Sequence, residues 1–77
     1  MNKVRRKKIE AIQEQLGALK DLIEEIMEEE QEAYDNLPES LQESERGEAM
    51  YNAIDALDSA IYSCEEVDEY LGSAIEE

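Results

Sequence analysis

The 77-residue chain contains no histidine, phenylalanine or tryptophan, and it holds one cysteine, one proline and three glycines. Each absence closes a route to function. Without histidine, Ser40, Ser44, Ser59, Ser63 and Ser73 have no imidazole to activate them, so they read as caps and helix-surface residues. A di-iron centre built on Glu-x-x-His lacks its nitrogen ligands. Cys64 alone makes no disulfide within the chain and completes no zinc site; on an apolar face it reads as a small buried hydrophobe. No apolar run approaches the roughly 18 residues that cross a bilayer, and the basic start MNKVRRKKIEAIQ develops no secretory core. The expectation is a cytoplasmic protein in a reducing compartment, with no membrane partner.

Positive charge is scarce after the start. Residues 1–20 hold six Lys or Arg and two Glu, whereas residues 21–77 hold twenty acids and a single cation, Arg46, within a net charge of −15. Most of the surface therefore repels phosphate backbones, which argues against direct nucleic-acid binding while leaving a basic end able to hold a small anion. The carboxylates of EEIMEEEQE lack the turning loop and alternating oxygens of a calcium site. They also lack the contrasting environments that acid–base catalysis needs. These readings describe a non-enzymatic protein with no metal and no cofactor.

Periodicity carries the fold. Ile9, Ile12, Leu16, Leu19, Ile23, Ile26, Glu30 and Ala33 recur at alternating spacings of three and four, as do Met50, Ala53, Leu57, Ala60, Cys64, Val67, Leu71 and Ala74, which predicts two heptad seams. Leu22, Met27 and Tyr34 beside the first seam, and Ile54, Ile61 and Ile75 beside the second, widen both stripes beyond one contact. Gly17 inside the first seam reads as a site of close helix crossing. The prediction is an all-α, coiled-coil-like antiparallel hairpin forming one domain over 1–77. A helix over about 3–35 leads through a turn at 36–44, able to hold a short helix, to a helix over about 45–73. A chain this short makes a marginal core, so hairpins are expected to assemble into a homo-oligomeric bundle, as a dimer or larger.

Turn chemistry sits in NLPESLQESERGE. Pro38 biases Leu37 away from helical geometry. Asn36 with Glu39, and Ser40 with Glu43, fit capping-box spacing, while Ser44 offers an N-cap to the last helix, with Glu45 and Glu48 complementing its positive end. Arg46 and Gly47 stand in that first turn. Within one chain Arg46 is remote from Arg5, Arg6, Lys7 and Lys8. In an antiparallel pair of hairpins the basic start of one copy reaches the turn of the other, gathering cations about a helix start that suits a phosphate-bearing ligand. The candidate anion site is Gln42, Ser44, Arg46 and Gly47 with Arg5 and Arg6, and Tyr51 stands near enough to pack against a base. A purely structural alternative pairs Arg46 with Glu43 or with a neighbour's acid and leaves the tyrosines as packing residues with wet hydroxyls.

The stretch DNLPESLQESERGEAM followed by AIDALDSAI resembles a set of small acidic helical-hairpin proteins encoded by phages and prophages of bacteria, over most of the chain and most strongly from Asp35 to Ile61. The resemblance implies an anti-defence role in the host-cell cytoplasm, either by trapping a cyclic nucleotide signal in an oligomer or by blocking a defence enzyme. Three readings follow. The first is an oligomer that sequesters a small nucleotide, the second an acidic nucleic-acid mimic that binds a basic host protein, and the third a structural oligomerisation module.

Overall fold

The computed structural model describes residues 1–76; Glu77, the last residue of the expected domain, lies outside them. Asn2 opens the first helix, α1 (Lys3–Asp35), by accepting the Arg5 amide on Oδ1 at 2.9 Å, which satisfies one of the orphan donors of a helix start. Leucine, glutamate, lysine and glutamine fill most of the following turns, and all are good helix formers. Asn36 ends the helix as its C-cap, donating its amide to Glu32 O at 3.0 Å, and Pro38 with φ −56° and ψ 146° turns the chain. One short turn, α2 (Glu39–Gln42), follows, and α3 (Glu45–Glu76) runs back along α1. The result is an elongated, all-helical hairpin measuring 58 × 15 × 12 Å.

Capping at the turn differs from the sequence expectation. Asn36 closes α1 and does not open α2, whose N-cap is Pro38 with no side-chain bond; Ser40 lies within α2, and Glu43 is its C-cap. Ser44 donates its hydroxyl to the Leu41 carbonyl, turning toward the helix behind it instead of the one ahead. The same Leu41 carbonyl accepts the Ser44 amide at 3.1 Å, so both the backbone and the side chain of Ser44 close the end of α2, while Ser44 O accepts Glu48 N at 2.9 Å as the first bond of α3.

The contact between the long helices also uses a different row. Ile9, Leu16, Ile23 and Glu30 face inward as expected, but they are joined by Gln13, Lys20, Met27 and Tyr34, while Ile12, Leu19 and Ile26 are about half exposed and Ala33 is exposed. On α3, Met50, Leu57, Ala60, Cys64, Leu71 and Ala74 are half-buried as expected and are joined by Gly47, Ile54, Ile61 and Ile75, while Ala53 and Val67 are exposed. Side-chain size explains the choice. Turning Ile54, Ile61 and Ile75 inward buries more apolar area than turning in the alanines one position before them, at roughly 25 cal/mol per Å². Ile61, 7% exposed, is the one buried apolar side chain among the described residues. Gly17 meets no heavy atom where a β-carbon would stand, so no close helix crossing occurs there within the chain.

Candidate functional site

The turn is held by the residues expected to form half of the anion site. Gln42 Nε2 donates to the Tyr34 carbonyl at 3.0 Å, and that carbonyl also accepts Leu37 N at 3.0 Å. Two donors thus satisfy an acceptor that the end of α1 leaves without a helical partner. Gly47 is buried, and a β-carbon on it would collide with the Gln42 backbone. Its lack of a side chain lets α3 start directly against α2, where a ligand approach had been expected. Gln42, Ser44 and Gly47 therefore build the turn. Arg46, between them, is exposed and makes no ion pair among the described residues, including none with Glu43.

Arg5 and Arg6 are exposed near the start of α1, at the opposite end of the 58 Å rod. One chain does not bring them to Arg46. The structure does bring Gln42, Ser44, Arg46 and Gly47 together at one tip, and it places Tyr51, 62% exposed, about a turn further along α3.

Tyr51 belongs to a cleft that the sequence reading did not identify. A concavity of about 490 Å³ runs between the helices beside the turn, with Met27, Tyr51 and Ile54 as apolar lining and Glu28, Glu32, Asp35, Asp55 and Asp58 as carboxylates. The sequence places these acids only within a broadly acidic surface. Their alignment depends on which row turns inward, and placing Met27 and Ile54 at the seam is what puts these carboxylates along one edge. A second cleft of about 390 Å³, toward the open end, is lined by Gln13, Gly17, Lys20, Cys64, Glu65 and Asp68, among others. There Lys20 Nζ lies 3.0 Å from Glu65 Oε1, and Gln13 Nε2 reaches Asp68 O at 3.5 Å. The bond to Glu65 and its charge hold the Lys20 ammonium above the usual lysine pKa; Glu24 and Asp21 add to the effect. No group of three or more Cys, Asp or Glu among the described residues is arranged to hold a metal ion, and no helix there is long and apolar enough to cross a membrane.

The opposite edge of the hairpin is chemically different. In an antiparallel pair of helices, the residues flanking the seam on one side of the first helix share an edge with the same heptad positions of the second. Both clefts lie on the edge of Gly17, Gln31, Tyr51, Asp58 and Glu65. The other edge therefore carries Ile12, Leu19 and Ile26 with Leu22 behind them, and Ala53, Ala60 and Val67 from α3. Leu22 is 55% exposed and Leu19 equally so. No family model, curated protein or solved structure matches this chain.

Proposed function

We propose that this chain is a non-enzymatic binding protein that acts as a homo-oligomer and holds a small anionic nucleotide between the basic start of one copy and the Arg46 tip of another. The observation that carries the reading is the placement of unpaired arginines. In a chain of net charge −15, Arg46 stands exposed at one tip, and Arg5 and Arg6 stand exposed at the other, and none of the three makes an ion pair among the described residues. A guanidinium left unpaired amid so many acids is available for an anion that can accept a planar, bidentate donor. The resemblance to phage and prophage proteins supplies the setting, sequestration of a cyclic nucleotide immune signal in the host-cell cytoplasm.

Calorimetric titration of cyclic di- and trinucleotides and cyclic ADP-ribose isomers tests this reading. Binding by the natural chain that is lost in Arg46→Ala supports it. Absence of heat and of thermal stabilisation across the panel rejects it.

The acidic cleft favours a second reading, an inhibitor that engages a basic host protein. Five carboxylates around Met27, Tyr51 and Ile54 suit a lysine or arginine with its apolar stem laid on the floor. Affinity for such a partner would fall steeply with added salt and be insensitive to Arg46→Ala.

A further inference from the structure

The hairpin leaves one aliphatic row of α1 outside its own contact. Ile12, Leu19, Leu22 and Ile26 are 47 to 55% exposed and repeat along α1 at heptad-compatible spacing, at positions where a solvated edge would carry Lys, Glu or Gln. Beside them on α3, the corresponding positions from Ala49 to Ala74 include Ala53, Ala56, Ala60 and Val67 and no charged residue. We propose that this edge is covered by the same edge of a second copy, packed antiparallel so that each basic helix start lies over the acidic, turn-proximal half of its partner. The inference rests on the oligomeric part of the reading above and is independent of its ligand.

Size, charge and symmetry identify the occupant. A face 58 Å long and 12 to 15 Å wide matches the roughly 800 Å² per partner of a standard stable interface. The ends of that face carry opposite signs. Arg5 and Lys8 extend the apolar row at one end, and Glu29 with Glu25 and Glu32 borders it toward the other. A surface positive at one end and negative at the other is complementary to itself after a two-fold rotation, which is the requirement for an isologous pair.

Two such rotations bring the edges face to face. With the axis along the rods, α1 lies over the partner's α3, so each basic start faces Val67, Tyr70 and Ala74, an edge with no charged residue, and both basic starts share one end. With the axis across the rods, α1 lies over the partner's α1 in reverse. The Lys3–Lys8 stretch then covers the partner's Glu28–Asp35 stretch, and the alanines of the two α3 helices meet, allowing them to approach at the short end of the 8–10 Å range. Only the second arrangement sets each basic start over a carboxylate-bordered edge, so charge complementarity selects it. It is also the arrangement that carries each Arg46 tip to a basic start.

Double electron–electron resonance on the full chain tests the arrangement. A nitroxide is attached at Glu39→Cys, an exposed site at the turn, in a Cys64→Ala background. The antiparallel pair gives a distance approaching the 58 Å length of the rod. A distance within about 20 Å, two interaxial spacings, overturns the antiparallel mode while leaving oligomerisation intact. Absence of any dipolar modulation at high protein concentration overturns both. Leu22→Glu is expected to abolish the signal and Tyr62→Glu, away from the proposed edge, to preserve it. The reverse pattern places the interface elsewhere and refutes the assignment. Should Leu22→Glu unfold the chain, the label distance in the Leu22 protein still decides.

Discussion

Gly47 packs so closely on the backbone of Gln42 that no β-carbon fits between them, which makes this pair the point at which the returning helix is seated on the turn. Gly47→Ala should destabilise the hairpin by about 1–3 kcal/mol, the usual cost of forcing an extra carbon into a packed site, as read from urea unfolding. Gly17→Ala provides the opposite sign. Its β-carbon meets open space, and replacing a mid-helix glycine should stabilise by about 1 kcal/mol. Equal effects at the two positions would refute this account of the turn.

Ile61 is the most deeply placed apolar side chain. Ile61→Ala should cost about 2 kcal/mol, near the low end of the range for Ile-to-Ala changes, because the seam is shallow and can partly close. Ile12→Ala, on the exposed edge, should leave the stability of an isolated hairpin almost unchanged and lower it only where copies pair. Melting curves over a wide concentration range separate the two effects.

Raising ionic strength until the Debye length falls to about 8 Å should raise the melting temperature, since a net charge of −15 repels itself within each hairpin and between copies. Each kcal/mol gained corresponds to about 4–8 °C in a domain of this size. A melting temperature that falls with salt would mean that favourable ion pairs dominate.

Lys20 sets a test in alkali. Its folded pKa is raised, chiefly by the bond to Glu65. The contribution of the charged pair is therefore fully present below the unfolded lysine value of about 10.4 and is lost as pH rises through the higher folded value. The stability difference between the natural chain and Lys20→Met should be constant through neutral pH and shrink above about pH 10.4. A difference that changes near pH 7 would assign the effect to another group.

The helical hairpin was readable because its signals are local. Asn2, the three-and-four spacing and Pro38 each act within a few residues. The row that turns inward was not readable from α1 alone, where Ile12, Leu19 and Ile26 are better hydrophobes than Gln13 and Lys20. It is decided by the isoleucines of α3, a comparison between two distant segments. The same gap hid the acidic cleft, whose carboxylates look like solvated charges until Met27 and Ile54 fix their orientation. At the turn, the glycine and the capping residues were recognisable as special, but their partners proved to be one another: Ser44 serves Leu41, and Gln42 serves Tyr34. Of the candidate site, Arg46 at the tip and Arg5 and Arg6 at the far end are exposed and make no ion pair among the described residues, and Tyr51 is exposed beside the cleft.

The inward rows are not evenly greasy. Toward the turn they contain Met27, Tyr34, Leu37, Met50 and Ile54; toward the free ends Gln13 and Lys20 alternate with Ile9 and Leu16, and the exposed Asp68 separates Cys64 from Leu71 and Ile75. The grip between the helices is consequently graded, and the ends should part before the tip does. Breathing of this kind would let the cationic arm at residues 3–8 swing independently of the well-clamped half, so the segment richest in positive charge is also the one with the greatest freedom to adapt to whatever it meets.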